Sequence, residues 1–453
     1  MRHRTSRRRV VRRLLVVVAA LATVGTACVT NNNTGGTNNA PSPVPSGSTI
    51  PPKIPQEPTS PVTVTFASWV GSSPQFKKFA KDFHALHPNI TIEFQNVPAE
   101  RATDKLTTEI AGGNAPDTAY IDSSAVSDFA TRGALVNLDQ YIAGSKNIDL
   151  KDFVPGFLSS AQVSGSTFGI PFDGETTALF YRTDLFAAAG LTAGPTTWDE
   201  MQADAAKLTI PSKKQYGFIE FGPESAYYWY PFLWGAGGNL ISDDGKTLEF
   251  DSQQGQQAAD FYIGLAKYSP PDYYNSNSWD GRVAFATGKV AMYEAGSWFG
   301  GEMESSFPKI NGKWDVVPIP RGPARCATTQ AGDTLVEFSQ SKNQDAAYLW
   351  LDYLASETNM KTWTFGSKTT TLLPPRKSLL ADPDLGKFNP WLKGFADQMS
   401  CAVVSNINQP KWPEIEQQLT TDLGKAIYGD LTPQAALQEA ATKGQQIIAS
   451  SSP

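Results

Sequence analysis

From residue 62 onward, the spacing of apolar side chains switches repeatedly between the period of a strand and the period of a helix. Apolar and polar residues alternate over 62–66 and again over 90–94, whereas apolar residues between 76 and 83 recur at helical spacing. Strands that alternate with helices form a parallel sheet with helices packed on it, so the sequence predicts an α/β fold. Ligands of such sheets bind beyond the carboxyl ends of strands, which here are the stretches at Trp69 and Asp122.

The chain begins with an arginine-rich segment that is followed by a short apolar run. Seven arginines lie within residues 1–13, residues 14–24 are almost entirely apolar, and three small residues precede Cys28. This is the order of a signal peptide, and the run is too short to span a hydrocarbon core of ~30 Å, which favours cleavage over a retained membrane anchor. Cys28 resembles the lipidated cysteine of a bacterial lipoprotein, and the arginines resemble those of a twin-arginine signal. We predict a signal peptide over residues 1–27, export by the general or the twin-arginine route, and lipidation of Cys28.

Residues 28–61 consist largely of Asn, Thr, Gly, Ser and Pro. A segment of this composition has almost no apolar surface to bury and stays unfolded. We therefore predict a flexible linker over 28–61, which would hold an exported globular body near the outer face of the cytoplasmic membrane through the lipid on Cys28.

Charge and composition exclude several classes of function. The 453-residue chain carries 38 basic and 44 acidic residues, and seven of the basic residues lie in the leader. The acidic surface that remains repels phosphate backbones, so we predict no nucleic-acid partner. Three histidines and three cysteines leave little material for a Ser-His-Asp triad, a Cys-His dyad or a zinc site. We predict no catalytic residues, no metal and no cofactor.

Six segments, taken in order, carry a resemblance to a known family. The segments are 114–117 (NAPD), 132–135 (RGAL), 169–172 (GIPF), 179–186 (LFYRTDLF), 196–200 (TTWDE) and 285–292 (FATGKVAM). Together they resemble the extracellular solute-binding proteins of carbohydrate ABC importers, the superfamily of maltose-binding protein, and the resemblance runs from about residue 62 to the C-terminus.

The resemblance implies an α/β protein with the two-lobed fold of periplasmic binding proteins, in which crossing hinge strands join lobes that close on a ligand cleft. It places residues 62–172 and 319–370 in the first lobe and residues 173–318 and 371–453 in the second. The implied function is a substrate-binding lipoprotein, without enzymatic activity, that captures a sugar or oligosaccharide outside the cell. Its implied partners are the ligand, the permease subunits of an ABC importer and the membrane that holds its lipid anchor, and we expect a monomer.

The family's cleft positions, matched onto this chain, assign ten candidate ligand-binding residues. A sugar offers apolar C–H faces and a rim of hydroxyl groups, so its binder needs flat aromatic rings and hydrogen-bonding side chains. By resemblance Glu175 contacts sugar hydroxyls, Trp298 and Trp412 stack on sugar rings, and Asp333 stands where a pair of glycines is usual. The ten are Trp69, Asp122, Asp173, Glu175, Tyr228, Trp229, Trp298, Asp333, Arg376 and Trp412.

Three other functions remain open at this point. Asp173 and Glu175 are two residues apart and share a strand face, and paired carboxylates also describe a secreted glycoside hydrolase. The ligand could instead be a polar non-sugar such as a glycerophosphodiester. An adhesion or scaffold protein on a lipid anchor would need no cleft chemistry at all. The scarcity of auxiliary catalytic residues and the export-plus-linker organisation favour the binding protein.

Cys326 and Cys401 are the two cysteines outside the leader and linker. In an oxidising compartment an even pair tends to form a bridge, so we predict a disulfide between them. Two separate buried thiols are the alternative, because cysteines whose Cα atoms lie more than ~7 Å apart cannot be joined.

Overall fold

A computed structural model of the chain describes residues 50–219, 225–271, 280–405, 407 and 409–450. The predicted signal peptide, Cys28 and the linker before residue 50 lie outside these residues. Among the helices of the described part, none combines the length and the apolar character that crossing a membrane requires.

The described chain builds two lobes in four consecutive segments. The first segment belongs to lobe 1 and contains β1 (Val62–Ser68), α1 (Pro74–Leu86), β2 (Ile90–Asn96), α2 (Ala99–Ala111), β3 (Thr118–Asp122), α3 (Ala125–Thr131), α4 (Asp139–Gly144), α5 (Pro155–Ser160), β4 (Gln162–Val163), β5 (Ser166–Thr167) and β6 (Gly169–Pro171). The second belongs to lobe 2 and contains β7 (Glu175–Tyr181), α6 (Thr183–Ala188), α7 (Trp198–Leu208), β8 (Tyr216–Ile219), α8 (Ser225–Gly235), α9 (Gln253–Gly264), α10 (Gly281–Ala286), β9 (Val290–Gly296), α11 (Trp298–Ser306), β10 (Asp315–Val317) and β11 (Thr328–Ala331).

The third segment returns to lobe 1 and the fourth completes lobe 2. The third contains β12 (Asp333–Glu337), α12 (Gln344–Leu354), α13 (Glu357–Thr364) and α14 (Lys377–Leu380). The fourth contains α15 (Leu392–Asp397), β13 (Ala402–Val404), α16 (Trp412–Tyr428) and α17 (Pro433–Ser450).

Each lobe is centred on one mixed sheet. The sheet of lobe 1 has the order β2-β1-β3-β12-β6, with β1 parallel to β2 and β3 and with β12 antiparallel to β3 and β6. The sheet of lobe 2 has the order β13-β11-β7-β9-β8, and β10 pairs with β7 beside this path. The predicted two-lobed α/β fold is therefore confirmed, and the strand–helix–strand alternation after residue 62 is the parallel part of the first sheet.

Local sequence signals explain where the first helix begins. The side chain of Ser73 accepts a hydrogen bond of 3.2 Å from the backbone N–H of Phe76, and Pro74 occupies the first helical position. Such a cap satisfies one of the N–H groups that a helix leaves without a partner at its start. The apolar face of α1, which includes Phe76, Phe79 and Phe83, is fully buried in the core of lobe 1.

The chain passes between the lobes three times. The first passage, residues 172–174, joins β6 to β7, and the second, Gly332, joins β11 to β12. These two passages lie side by side, because a Cβ atom on Gly332 would lie 2.4 Å from the backbone oxygen of Asp173. Only glycine leaves room for so close an approach of two backbones. The cleft floor is built at this point.

Two of the predicted lobe boundaries are corrected by the pairing of the strands. The sequence places the second passage at residues 318–319, but β11 pairs with β7 and β13 in lobe 2, so lobe 1 resumes only after Gly332. The third passage is placed at 370–371, yet Lys361 of α13 forms ion pairs with Asp382 at 2.7 Å and Asp384 at 3.0 Å. Lobe 1 therefore extends to at least residue 384. Contacts between residues far apart in sequence therefore decide both boundaries, through strand pairing for one and ion pairs for the other.

Residues 50–61, the described end of the predicted linker, are held against lobe 1 and are not free. The backbone N–H of Lys53 donates a 2.8 Å hydrogen bond to the carbonyl of Gln140, and its ammonium group lies 2.9 Å from Asp345. The backbone N–H of Gln56 also donates to Asp345, at 3.1 Å. Composition alone did not indicate this docking, because it depends on partners far along the chain.

Cys326 and Cys401 form a disulfide in the structure, with 5.5 Å between their Cα atoms. Parallel pairing of β11 with β13 brings the two segments together, since Thr328 lies opposite Ala402. The bridge thus ties the fourth segment of the chain to the sheet of lobe 2.

Candidate functional site

A cleft of about 770 Å³ lies where the passages between the lobes meet. The carboxyl ends of β1 and β3 reach it from lobe 1, and the starts of β7 and α11 reach it from lobe 2. This volume is typical of sites for small molecules. Two kinds of side chain dominate its lining. Six are aromatic, namely Trp69, Tyr120, Tyr227, Tyr228, Trp298 and Trp363, and six are acidic, namely Asp122, Asp173, Glu175, Glu302, Asp333 and Glu416.

The aromatic side chains come from both lobes. Trp69 follows β1 in lobe 1 and packs edge-on against Tyr120, with 4.8 Å between ring centroids. Trp298 begins α11 in lobe 2 and packs edge-on against Phe299 at 5.9 Å. Both indoles are only partly buried. Each lobe thus presents an accessible flat apolar surface to the cleft.

Asp173 lies at the cleft floor in the first passage, and its side chain is already engaged. It is 1% exposed, and its Oδ2 accepts hydrogen bonds from the Tyr120 hydroxyl at 2.7 Å and from Trp363 Nε1 at 2.5 Å. Burial raises the pKa of Asp173 to about 6, against the lowering effect of these donors. This carboxylate orients Tyr120 and Trp363 and holds the floor together.

Asp333, at the start of β12, shares the same tyrosine. The Tyr120 hydroxyl also lies 2.5 Å from Asp333 Oδ2. Burial raises the pKa of Asp333 well above its usual range, and the negative charges of Asp173, Asp122 and Glu175 raise it further. The Asp333 carboxyl therefore keeps its proton up to a higher pH than an exposed aspartate does.

Glu175 and Trp298 approach each other across a glycine. Glu175 opens β7, and its Oε1 accepts a 3.2 Å hydrogen bond from the Tyr227 hydroxyl. A Cβ atom on Gly296 would lie 2.0 Å from Glu175 Oε2 and 2.6 Å from Trp298 Nε1. The absence of a side chain at Gly296 therefore makes the space that both functional groups occupy.

Seven of the ten candidate residues line the cleft, and the structure corrects the other three. Trp229 is 0% exposed and Trp412 is 2% exposed, and both belong to the core of lobe 2. Tyr227 and Tyr228 face the cleft and Trp229 does not, because Trp229 points about 200° around the helix from Tyr227. The seven that line it are Trp69, Asp122, Asp173, Glu175, Tyr228, Trp298 and Asp333.

Arg376 is the third candidate residue that does not line the cleft. Its guanidinium is 6% exposed and donates hydrogen bonds of 2.6 Å to the carbonyls of Asn147 and Ala355. It also lies over the ring of Phe153, 5.0 Å from the centroid. Arg376 therefore connects loops and helices inside lobe 1 and does not reach the cleft.

Several lining residues had no role in the prediction. Tyr120 could have been found, because it lies two residues before Asp122 on β3 and strand side chains repeat with that period. Tyr227 lies in an aromatic stretch, residues 227–234, whose composition is typical of core packing. Trp363 and Glu416 carry no local signal, since they enter the cleft from helices far along the chain.

The ionisable Asp, Glu, Lys, Arg and His side chains that line the cleft in the described part of the chain are all acidic. Among the described residues that line the cleft, none is lysine, arginine or histidine. In the same part of the chain, no group of three or more histidine, cysteine, aspartate or glutamate side chains could hold a metal ion. The arrangement can therefore stack on a ring, accept hydrogen bonds and attract positive charge.

Comparison with protein families gives one match that covers most of the cleft-forming chain. The family model of bacterial extracellular solute-binding proteins matches residues 67–361. A binding protein of Brucella abortus (strain 2308) is 30% identical over 404 residues, which is 85% of this chain and 93% of the relative. A lipoprotein of Streptomyces antibioticus is 25% identical over 394 residues, covering 84% and 85% of the two chains.

Solved structures show the same architecture. An ABC transporter solute-binding protein of Thermotoga lettingae TMO, bound with α-D-tagatose, superimposes with a TM-score of 0.78 at 27% identity and covers 86% of this chain and 100% of its own. A solute-binding protein of Agrobacterium radiobacter K84, in complex with ribitol, has a TM-score of 0.73 at 27% identity, with 86% and 99% covered.

Proposed function

Because this chain belongs to the family of bacterial extracellular solute-binding proteins, we propose that its cleft captures a sugar or a sugar-like polyol for an ABC importer. The observation that carries the proposal is the pair of accessible indoles, Trp69 and Trp298, that face one cleft from opposite lobes. Rings of this kind stack on the C–H faces of a sugar. The α-D-tagatose and ribitol bound to the two similar structures are ligands of this class.

Each lining residue has a role that follows from its chemistry. Trp69 and Trp298 cover the apolar faces of the ligand, and Tyr227 and Tyr228 extend the wall of lobe 2. Asp122 and Glu175 accept hydrogen bonds from hydroxyl groups at the rim, since ionised carboxylates are acceptors. Asp173 acts indirectly, because its oxygens already hold Tyr120 and Trp363 in place.

Closure of the lobes follows from the placement of these residues. A ligand shifts an equilibrium only when it binds one state better than the other. A sugar that touches Trp69 in lobe 1 and Trp298 in lobe 2 gains both contacts only when the lobes approach. The closed, loaded form would then dock on the permease and release its ligand there.

The family consists of binding proteins, and the chain is not an enzyme. The state of Asp173 agrees with this, because a general acid or base must reach the substrate, whereas this carboxylate is 1% exposed and bonded to two donors. Asp173 and Glu175 therefore do not act as the carboxylate pair of a glycoside hydrolase.

We further propose that the chain is exported and held at the outer face of the cytoplasmic membrane by a lipid on Cys28. The order of charged, apolar and small residues before Cys28 supports this proposal, as does the similarity to the Streptomyces antibioticus lipoprotein. Residues 50–61 are docked on lobe 1, so this part of the predicted linker would belong to the folded body.

Titration calorimetry of the purified protein with monosaccharides, disaccharides and polyols tests the proposed function. We expect saturable binding of at least one member, with a stoichiometry of one ligand per chain. A matched variant, Trp412→Phe, alters a tryptophan of the lobe 2 core and should leave the affinity unchanged. Absence of binding by every saccharide and polyol, with the protein folded, would refute the proposal.

A further inference from the structure

Strand register places three carboxyl groups in the lining of the cleft floor. Antiparallel pairing of β12 with β3 places Asp333 directly opposite Asp122, and pairing of β11 with β7 places Glu175 opposite Ala331. Only Gly332 separates Ala331 from Asp333 along the chain. Like charges directly opposite on neighbouring strands destabilise a sheet. Two ionised carboxylates at these positions, at the centre of the proposed binding site, would repel each other.

A count of protons gives a second and independent observation. The Tyr120 hydroxyl lies within hydrogen-bond distance of both Asp173 Oδ2 and Asp333 Oδ2, but it has only one proton to donate. Asp173 also accepts from Trp363, as an ionised carboxylate does. The consistent assignment has Tyr120 donating to Asp173, and a protonated Asp333 donating to the Tyr120 oxygen. A proton therefore occupies the acidic cluster of the ligand-free protein.

The described residues that line the cleft include no lysine, arginine or histidine that could balance the charge of these carboxyl groups. The walls add a third feature, because the faces of Trp69 and Trp298 attract organic cations as well as C–H groups. Carboxylates at the floor with aromatic walls suit an ammonium group carried on a ring.

We propose that the ligand is a sugar carrying a protonated amine, and that its ammonium group binds among Asp122, Glu175 and Asp333. This inference rests on the proposed function of the cleft and names the class of sugar that it takes. On binding, the ammonium group replaces the proton of Asp333, and that proton leaves to solvent. A glycerophosphodiester would place a negative charge against the same carboxylates and is rejected.

The affinity for an amino sugar should depend on pH, because the proton on Asp333 competes with the ammonium group. Burial and neighbouring negative charges raise the pKa of Asp333, so below that pKa a proton competes with the ammonium group. The titratable groups facing it are Asp122, Asp173, Glu175 and Tyr120. The affinity for an amino sugar should therefore rise with pH over the range in which the amine keeps its own proton, while the affinity for its neutral counterpart changes little.

Calorimetry with matched pairs tests the inference on the full chain. The probes are D-glucosamine with D-glucose, D-galactosamine with D-galactose, and D-mannosamine with D-mannose, each also as the N-acetyl form that lacks the charge. We expect the amine to bind about tenfold more tightly than its neutral partners, because charge-assisted hydrogen bonds are the stronger ones. Its affinity should fall with added salt, and the heat should vary with the buffer as protons are released.

Two variants connect the preference to the cluster. Asp122→Asn keeps the shape of an exposed side chain and removes its charge, so it should reduce the amine preference about tenfold. Asp128→Asn, which removes a carboxylate paired with Arg132 on the surface of α3, should leave the preference unchanged.

The possible failures are distinguishable. If a neutral sugar binds as tightly as its amine, the inference fails and the proposed function stands. If putrescine, a diamine without a ring, binds more tightly than every sugar, the proposed function fails although the cleft selects cations. If no saccharide binds at all, both fail.

Discussion

Trp298→Ala separates a binding role for this residue from a packing role. The indole lies on the lobe 2 wall of the cleft, is partly buried, and touches Phe299 at its base. Removing it takes away one of the two surfaces on which a sugar ring would rest. It should leave the sheet of lobe 2 intact, because Trp298 follows the last residues of β9 and begins a helix at the rim.

The magnitude follows from the surface that a ligand could still cover. A tryptophan side chain has roughly 150–250 Å² to bury, and at most about a third of that surface remains exposed at Trp298. At about 25 cal/mol per Å², covering this remainder contributes about 1–2 kcal/mol to ligand binding. We therefore expect Trp298→Ala to weaken binding about tenfold.

Titration calorimetry with the best ligand measures the affinity, and thermal or denaturant unfolding without ligand measures the stability. Trp229→Ala is the matched control, since Trp229 is 0% exposed in the core of lobe 2. Loss of that core side chain should lower the free energy of unfolding by about 3–5 kcal/mol. Unchanged affinity in Trp298→Ala, together with a comparable loss of stability, would refute the assignment of Trp298 to the site.

The remaining predictions concern Glu175, Gly296, the lipid anchor at Cys28 and the disulfide. Glu175→Gln should weaken binding by about 1–3 kcal/mol, because a charged acceptor for hydroxyl groups is lost; sugar hydrolysis by the wild type that this variant abolishes would contradict a pure binding role. Gly296→Ala should also weaken binding, because its methyl group would displace the Glu175 carboxylate and the neighbouring indole; calorimetry showing wild-type affinity would contradict this geometry. Cys28→Ser should move the protein from the membrane to the soluble fraction, and unchanged membrane association would contradict lipidation. Mass spectrometry of the unreduced protein should find no free thiol at Cys326 or Cys401, and replacing both by serine should lower the free energy of unfolding by about 2–5 kcal/mol; two free thiols, or unchanged stability, would contradict these statements.

The candidate residues that sequence predicted best follow directly from strand ends. Trp69 directly follows β1 and Asp122 is the last residue of β3, whereas Asp173 and Glu175, at the passage into β7, were assigned by the resemblance. The positions of Trp69 and Asp122 follow from a local rule, because the carboxyl ends of strands in an open α/β sheet meet at one edge. The spacing of apolar residues in the sequence is enough to locate the ends of such strands.

The incorrect assignments of Trp229 and Trp412 arise where the local sequence pattern does not indicate which side of a helix faces the cleft. Nearly all of α8, including Trp229, is buried, so its pattern does not indicate which side faces a ligand. Trp412 sits at the start of α16 beside the cleft residue Pro413, and only packing turns its ring into the core. An aromatic residue near a site was therefore mistaken for a residue of the site.

The sequence by itself determined the α/β alternation, the family to which the ordered segments belong, and the chemistry of the strand ends. Each of these depends on residues a few positions apart, whose spacing sets burial and turn formation. Only the tertiary structure decided that Tyr120 joins Asp173 to Asp333, because strand register brings together positions 53 and 213 residues away from that tyrosine. Register also placed Asp122 opposite Asp333 and left the cleft acidic. Such pairings depend on the packing of whole lobes, since a hydrogen bond between distant residues leaves no periodic trace in the sequence.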